Sequence, residues 1–338
     1  MELKLNIVIG TRVSKWAMAA TQAVADRISL ANSNLNVVIK QLPSPGDLDH
    51  GDLAKLGGTT SFVDALSKEV AAGTVDAAVH TVKDISWPAE QKNFPIATVL
   101  SSGLRTTGNL LLGAIGQRGD VRDALVFRNG FELDGNKSQP IRIGTGSLLR
   151  CAAIKTLLPD RELIISRIRG NIDLRLEELD RGRYDALILS MDGLLAVGQE
   201  GRANRIFTVE EMPPAFGQAI GSVEVLESRH DVIAAVKPYH SDETMRCLRA
   251  EWATMRALQA TCHTPLGGLC SSNNDETLRM FAVMMAADGQ KIMAETNKFR
   301  GEPEELGIQI ADSLISQGAS EIERSWIGIA GELSQDAT

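Results

Sequence analysis

The chain has 338 residues, of which 43% are hydrophobic and 23% are charged, a composition typical of soluble globular proteins. This length predicts two or three domains, each with a core of its own. The net charge of −8 argues against a general nucleic-acid-binding protein, although a local cluster of arginine and lysine could still bind an anionic small molecule.

Targeting signals and disulfides are not expected. The first residues lack the apolar run of a signal peptide, and no run of 18 apolar residues predicts a transmembrane helix. The four cysteines are few and scattered, which favours reduced thiols in a cytoplasm over a disulfide framework. They are Cys151, Cys247, Cys262 and Cys270.

The N-terminal segment has the pattern of an α/β protein. Residues 3–9 predict a strand, residues 15–30 a helix with an apolar residue every fourth position, and residues 36–40 a second strand. A long loop rich in glycine and proline follows over residues 43–60. A loop of this length predicts a mobile lid rather than a simple connection.

A similar pattern then occurs twice. Residues 61–72 and 171–181 each predict a helix that stops at a glycine, Gly73 or Gly182. Each glycine begins a Gly-x-x-Asp-Ala motif that leads into an apolar strand. We interpret the repeat as two α/β domains of similar construction that face each other across a cleft. Ligands of open parallel sheets bind at the carboxyl ends of the strands.

The last hundred residues have a different pattern. Residues 241–259 and 304–317 predict helices, and residues 277–296 predict a β-hairpin with an Asp288-Gly289 turn. This order of elements indicates a small α+β domain.

Two charged residues follow the first repeated strand directly, in Val79-His80-Thr81-Val82-Lys83-Asp84. Charges at the carboxyl end of a buried parallel strand point toward the ligand cleft. An ordinary strand-to-loop transition with two solvated charges fits the same pattern, so both interpretations stay open at this point.

Cationic residues recur where the predicted strands end. Thr145-Gly146-Ser147 offers backbone N–H groups and hydroxyls at a helix N-terminus, which is a ready anion site. Arginine binds carboxylates in bidentate geometry. Together these positions favour a ligand with several carboxylates, whereas any single arginine is also consistent with a solvated helix face. The positions are Arg12, Lys55, Arg150, Arg167, Arg169 and Arg175.

Cys262 lies in a turn-like stretch beside Pro265 and the pair Gly267-Gly268. A thiol on a loop could carry a covalent adduct without disturbing a core. Cys262 and His263 with Cys270 match no common zinc spacing, so we predict no metal site. Adjacent cysteine and histidine rarely have the geometry of a nucleophile and its base.

Along nearly its full length the chain resembles the porphobilinogen deaminase (hydroxymethylbilane synthase) family. Seven short motifs carry the resemblance by their order and spacing. They are Gly10-Thr11-Arg12-Val13-Ser14, Leu53-Ala54-Lys55-Leu56-Gly57-Gly58, Ala78-Val79-His80-Thr81-Val82-Lys83-Asp84, Ile143-Gly144-Thr145-Gly146-Ser147-Leu148-Leu149-Arg150, Ile168-Arg169-Gly170-Asn171-Ile172-Asp173-Leu174-Arg175-Leu176, Pro214-Ala215-Phe216-Gly217-Gln218 and Cys262-His263-Thr264-Pro265-Leu266-Gly267.

The resemblance implies an α/β protein with two domains like the lobes of periplasmic binding proteins and a small C-terminal α+β domain. The first domain would comprise residues 1–105 with 215–240, the second residues 106–214, and the third residues 241–338. It also implies a cytoplasmic monomer that joins four porphobilinogen units head to tail through oligopyrrole intermediates and releases ammonia, without nucleic acid or membrane as a partner.

The resemblance also implies a dipyrromethane cofactor, attached through a thioether at Cys262. Asp84 matches the catalytic aspartate, whose carboxylate would stabilise the positive pyrrole formed as porphobilinogen loses ammonia. The positions that match cofactor-binding residues are Ser14, Lys55, Lys83, Thr145, Ser147, Arg150 and Arg175. Those that match substrate-binding residues are Arg12, Phe62, Arg169 and Arg175.

The sequence departs from the family pattern at several positions, and Thr59, Leu149 and Ala196 are among those that stand where the family has basic residues. Loss of one partner of a buried charge pair costs about 2–5 kcal/mol. A first alternative is therefore a divergent relative that makes a shorter or different oligopyrrole. A second is a two-lobed protein that binds a polycarboxylate without catalysis, in which Cys262 and Asp84 would have no role.

Overall fold

The computed structural model describes residues 5–42, 60–85, 104–105, 109–133, 135, 138–261 and 264–329. The chain forms two compact units. Residues 1–119 with 217–245 form the first, and residues 120–216 with 246–338 form the second. Among the described helices, none combines the length and the apolar character that a bilayer crossing requires.

Strands and helices are interspersed along the described part of the chain. The strands are β1 (Leu5–Thr11), β2 (Leu35–Gln41), β3 (Ala77–Thr81), β4 (Leu104–Arg105), β5 (Leu110–Ile115), β6 (Asp123–Phe127), β7 (Ile141–Gly144), β8 (Leu163–Ser166), β9 (Ala186–Ser190), β10 (Arg205–Ile206), β11 (Gly221–Leu226), β12 (Leu266–Ser272), β13 (Leu278–Met285) and β14 (Lys291–Phe299). The α-helices are α1 (Lys15–Ala31), α2 (Thr60–Ala71), α3 (Leu148–Leu157), α4 (Ile172–Asp180), α5 (Met191–Ala196), α6 (His230–Val236), α7 (Asp242–Ala257), α8 (Pro303–Ser316) and α9 (Ala319–Arg324). Single turns of 3-10 helix lie at Val82–Asp84, Glu200–Arg202 and Lys237–Tyr239.

The first unit is built on a six-stranded sheet in the order β2-β1-β3-β11-β5-β4. Strands β1, β2 and β3 are parallel, and β11 runs antiparallel to both β3 and β5. Helix α1 buries Val24 and Ile28 against one face of this sheet, and α2 packs Leu66 and Val70 in a separate cluster with Ala78. The sheet is therefore buried on both faces, as in other α/β folds.

The second unit repeats this arrangement in a five-stranded sheet of order β10-β6-β9-β7-β8. Here β7, β8 and β9 are parallel, and β6 is antiparallel to β9. The sheets are thus mixed, whereas the sequence led us to expect parallel ones. Each antiparallel neighbour of the repeated strand, β11 or β6, comes from a part of the chain outside the repeat.

The second unit also contains the three-stranded antiparallel sheet β12-β13-β14. Alternate residues of β13 enter two different cores. Met280 and Met284 pack with α7 and α8, whereas Val283 and Met285 join the cluster around Ile141 of the five-stranded sheet. Strand β13 is consequently buried on both faces.

The predicted α/β fold class with a small C-terminal α+β domain is confirmed by these elements. Each of the predicted helices described above has a counterpart within one or two residues, which is the usual uncertainty of helix ends. The division into three domains with the boundaries given above stays a prediction.

The aspartates of the two Gly-x-x-Asp-Ala motifs make equivalent bonds. The backbone N–H of Asp76 donates to the Val8 oxygen (2.8 Å), and its carboxylate accepts from the Val8 N–H (2.8 Å). Asp185 makes the same pair of bonds with the backbone of Arg142, at 2.8 and 3.0 Å. Each aspartate therefore fixes the register of the strand that follows it against the parallel neighbour of that strand, β1 or β7.

Arginine side chains also donate hydrogen bonds to both of these aspartates. Arg229 donates to Asp76 (2.5 Å), while Arg128 and Arg142 both donate to Asp185 (2.9 Å each). Burial of Asp185 opposes its ionisation most strongly, but the hydrogen bonds from Arg142 and Arg128 outweigh burial and hold the pKa of that carboxyl well below its usual value. The carboxylate thus stays charged in the folded protein at neutral pH.

We expect Asp185→Asn to lower the free energy of unfolding at pH 7 by about 2–3 kcal/mol, because charge-assisted hydrogen bonds are lost. A carboxyl whose pKa is depressed by folding stabilises the protein above its unfolded pKa of about 3.9 and loses that contribution as the pH falls further. The difference from the wild type should therefore shrink by about 1 kcal/mol between pH 6 and pH 3. Urea unfolding at both pH values measures it, and a constant difference would contradict the assignment.

Candidate active site

The first half of the predicted site lies at the carboxyl ends of β1 and β3. Strand β1 leads to Arg12 and Ser14, and β3 leads into the 3-10 turn that contains Lys83 and Asp84. The two strands pair in parallel, with Ile9 opposite Ala77. Because the carboxyl ends of parallel strands meet at one edge of a sheet, the structure brings these four predicted residues to the same edge.

The segment after β1 is fixed by hydroxyl groups. Thr11 donates to the Ala17 oxygen (3.0 Å) and accepts from the Thr21 hydroxyl (2.7 Å). Ser14 is buried, and its hydroxyl caps α1 by accepting from the Ala17 N–H (3.3 Å). These bonds hold the segment that contains Arg12 rigidly at the start of the helix.

Residues 217–220 contact the turn that contains Lys83 and Asp84. The Val82 N–H donates to the Ile220 oxygen (2.9 Å). Gly217 has a φ of 72°, and a Cβ added there would lie 2.8 Å from Val82 Cγ1. Only glycine fits this close approach in the left-handed region. Gly217 was not singled out from the sequence, although it belongs to one of the family motifs.

Asp84 is partly exposed. Among the residues that the structure describes, its carboxylate has neither a hydrogen-bond partner nor an ion-pair partner. A carboxylate at a sheet edge beside cationic residues, with no structural bond to break, is available to a ligand. This placement favours the functional interpretation of Asp84 over a simple solvated loop.

The second half of the predicted site lies at the carboxyl ends of β7 and β8, which pair in parallel with Gly144 opposite Ser166. The Thr145 hydroxyl accepts from the Ser147 N–H, and the Ser147 hydroxyl accepts from the Arg150 N–H, both at 3.3 Å. Ser147 is thus the N-cap of α3. The start of this helix offers partial positive charge and N–H groups to an anion.

Three of the four candidate arginines of this half, Arg150, Arg169 and Arg175, differ in what they bind. Arg150 forms a bidentate ion pair with Asp123, with both N–O distances at 2.7 Å, and Asp123 is almost completely buried. Arg175 donates through Nε to the Gly170 oxygen (2.8 Å). Arg169 is exposed, and its guanidinium has no partner in the described part of the chain. Arg169 is therefore the most available of the three to a carboxylate ligand.

Comparison with known proteins identifies the family of this chain. Residues 7–234 match the family model described as porphobilinogen deaminase, dipyromethane cofactor binding domain. Residues 245–316 match the model of the porphobilinogen deaminase C-terminal domain. The chain belongs to the porphobilinogen deaminase family.

Similar curated proteins cover almost the whole chain. The porphobilinogen deaminase of Bacillus velezensis is 33% identical over 334 residues, which is 98% of this chain and 99% of that protein. The porphobilinogen deaminase of Exiguobacterium sibiricum is 33% identical over 320 residues, 94% of this chain and 97% of that one. Among solved structures, a TRAP periplasmic solute binding protein from Ralstonia eutropha H16 covers 97% of this chain and 98% of its own at 12% identity. Its TM-score of 0.39 does not by itself establish a shared fold.

The structure describes two of the residues that depart from the deaminase pattern, Leu149 and Ala196. Leu149 is buried at 4% exposure in the core beneath α3. It packs so closely on β12 that a Cβ added to Gly267 would lie 2.4 Å from Leu149 Cδ2. A position that is basic in the deaminase pattern is therefore a core position here. Ala196 is the partly exposed last residue of α5.

Some predicted positions lie outside the described residues. These are Lys55, Thr59 and Cys262, and the side chain of Phe62 is likewise not described. The roles assigned to them, and to the other site residues, stay predictions.

Asp123 is a residue that sequence reasoning missed. It begins β6 and lies far from Arg150 in the sequence, so no local spacing pointed to the pair. A charged residue at the start of an apolar strand was the available signal.

We expect Asp123→Asn to lower the free energy of unfolding by about 3 kcal/mol, because it leaves the half-buried Arg150 charge without its partner. Urea denaturation measures this loss. Asp180→Asn is the matched control, since Asp180 forms a similar two-bond pair with Arg202 but is 42% exposed. That control should cost less than about 1 kcal/mol. Equal losses in the two variants would show that burial of the Arg150–Asp123 pair does not increase its contribution to the free energy of unfolding.

Proposed function

We propose that the chain is a hydroxymethylbilane synthase of tetrapyrrole biosynthesis. It deaminates porphobilinogen, joins four units head to tail on a dipyrromethane bound at Cys262, and releases hydroxymethylbilane and ammonia. The observation that carries the proposal is Asp84, a carboxylate without a structural partner in the described chain, at a sheet edge beside Lys83 and Arg12. Family membership over nearly the whole chain supports it.

The described residues fit a ligand with several carboxylates. The N-terminus of α3 offers N–H groups and two hydroxyls, and Arg169 offers a guanidinium that is not used by the fold. We assign the carboxylates of the dipyrromethane to Ser14, Lys55, Lys83, Thr145, Ser147, Arg150 and Arg175. We assign the incoming porphobilinogen to Arg12, Phe62, Arg169 and Arg175. When bound, the dipyrromethane supplies the unsubstituted pyrrole carbon to which the next unit is added.

The role of Asp84 follows from charge. As the carbon–nitrogen bond of the aminomethyl group breaks and ammonia leaves, the methylene carbon stays on the pyrrole ring and positive charge develops there. The Asp84 carboxylate stabilises this charge and accepts a hydrogen bond from the pyrrole N–H. A fixed carboxylate in a site shielded from water stabilises such a charge more strongly than solvent does.

The remaining cysteines support Cys262 as the attachment point. Cys151, Cys247 and Cys270 are buried. Burial raises the pKa of the Cys151 thiol to about 11, although the nearby Lys155 and Arg150 act in the opposite direction. A thiol with a raised pKa in a core is a poor nucleophile.

We further propose a cytoplasmic monomer whose partners are porphobilinogen and its oligopyrrole intermediates, and not nucleic acid or a membrane. The net charge of −8 and the small number of scattered cysteines in the sequence support this assignment. We retain the three-domain division 1–105 with 215–240, 106–214 and 241–338, which the match of residues 245–316 to a separate C-terminal model supports.

The test is the intact mass of the purified protein, together with staining for a bound pyrrole. The wild type should carry the added mass of a dipyrromethane and consume porphobilinogen, whereas Cys262→Ser should carry no adduct. Cys151→Ala is the control and should keep the adduct. An adduct on Cys262→Ser, or a wild type that neither carries an adduct nor consumes porphobilinogen, would overturn the proposal. Analysis of the released product distinguishes a tetrapyrrole from a shorter chain.

Asp84→Asn should lower porphobilinogen turnover by about 10²-fold or more, because a neutral amide stabilises the developing positive charge poorly. The melting temperature should stay unchanged, since Asp84 has no structural bond to lose among the described residues. Steady-state kinetics and a thermal melt measure both quantities. Asp64→Asn, at an exposed position of α2, should leave both unchanged. Normal turnover in Asp84→Asn would remove Asp84 from the mechanism.

A further inference from the structure

A buried polar cluster lies in the first unit, between helix α2 and the sheet. It consists of Ser67 of α2, His80 of β3 and Glu224 of β11. Glu224 is completely buried, and His80 and Ser67 are 5% and 8% exposed. None of the three side chains has a role in the function proposed above. We call Ser67, His80 and Glu224 the imidazole–carboxylate cluster.

One carboxylate oxygen joins the three side chains. Glu224 Oε2 accepts from the Ser67 hydroxyl (2.6 Å) and lies 3.2 Å from Nε2 of His80. An ionised Glu224 can only accept hydrogen bonds, which gives the donor role to Nε2 of His80. A buried carboxylate needs such donors, because burial without hydrogen bonds opposes its charge. The cluster therefore links α2, β3 and β11 through a single atom.

The cluster lies next to the strand end that leads to Asp84. The carbonyl oxygen of His80 accepts from the hydroxyl of Ser222, the residue opposite it on β11 (3.3 Å). Two residues further on, the Val82 N–H donates to the Ile220 oxygen (2.9 Å). Together with the imidazole, these bonds fix the end of β3 on β11. The turn that contains Asp84 begins at this fixed strand end.

The packing of this face does not require polar groups. Alternate residues of β3 face α2, and Leu66, Val70 and Ala78 form an apolar core there. Well-packed apolar side chains in place of buried charged groups are often as stable or more stable. Hydrogen bonds, unlike apolar contacts, have a preferred direction and fix His80 in one orientation. A carboxylate at this depth is accordingly better explained by orientation than by stability.

We propose that His80 and Glu224 are positioning residues that hold the turn at the end of β3, and with it the Asp84 carboxylate, in the orientation that its catalytic role requires. This inference rests on the proposed function, in which Asp84 stabilises positive charge on the pyrrole ring. Neither residue touches the substrate, and both act through Asp84. A group displaced by about 1 Å from its productive position can cost about 10²-fold in rate.

The experiment measures porphobilinogen turnover by the full-length protein. His80→Leu removes the donor and should lower kcat about tenfold with KM within about threefold of the wild type, because an interaction made only in the transition state is weakened. Glu224→Met removes the acceptor and should have a similar effect. His80→Gln places an amide N–H near the position of Nε2 and should restore kcat to within about threefold of the wild type.

Thr254→Val is the control for lost stability. Thr254 of α7 is completely buried in the second unit, and its hydroxyl donates to the Gly307 oxygen (2.9 Å). The variant should lower the melting temperature, because a buried hydrogen bond is lost. It should leave kcat unchanged, since this bond makes no contact with β3 or β11.

The dependence on Asp84 separates positioning from general damage. In the Asp84→Asn background, His80→Leu should lower kcat by less than about twofold, because the carboxylate that it positions is already absent and effects on one target are not additive. Hydrogen exchange gives a second readout, which needs no turnover. The Val82 N–H should exchange about tenfold faster in His80→Leu than in the wild type, and near the wild-type rate in Thr254→Val.

Several results would overturn the inference. They are wild-type kcat in His80→Leu or Glu224→Met, a His80→Gln variant as slow as His80→Leu, an equal loss of kcat in Thr254→Val, an undiminished loss in the Asp84→Asn background, or unchanged exchange of the Val82 N–H in His80→Leu. If the wild type neither carries an adduct nor consumes porphobilinogen, the proposed function fails instead. The exchange rates then still show whether the cluster holds the turn, so the two failures are distinguishable.

Discussion

The carboxylates of Asp76 and Asp185 hold the two repeated strands against their parallel neighbours β1 and β7, and the positions of the site residues depend on that register. Each aspartate uses backbone and side chain together on one residue of the neighbouring strand, Val8 or Arg142. A slip of one residue would turn every side chain of the strand to the opposite face. It would also displace the turn with Asp84 relative to Arg12 in the first unit.

Much of this arrangement could be read from the sequence, because its determinants are local. The repeated Gly-x-x-Asp-Ala motif, the helix stop at each glycine and the charged pair Lys83-Asp84 after an apolar strand all depend on neighbours in the chain. The antiparallel strands β11 and β6 could not be placed in this way, since they enter the sheets from distant segments. The pair of Arg150 and Asp123 and the buried side chain of Leu149 were missed for the same reason: burial is a property of the folded chain.

The basic residues of the predicted site form two groups with different physical roles. Arg150 neutralises a buried carboxylate and contributes first to the fold, whereas Arg169 is exposed and keeps its charge for a ligand. A count of arginines and lysines in the motifs therefore overstates the positive charge that an oligopyrrole with many carboxylates would meet. Helix α3 compensates in part, because its N-terminus supplies N–H groups that carry no net charge and need no counter-ion.

Strand β13 lies between two hydrophobic cores, one formed with α7 and α8 and the other with the five-stranded sheet. Opening of the C-terminal sheet would expose apolar surface on both of its faces at once. Its amide hydrogens should accordingly exchange with solvent only when the whole second unit unfolds, rather than through a local fluctuation. Strand β13 is thus among the last parts of this unit to lose its structure.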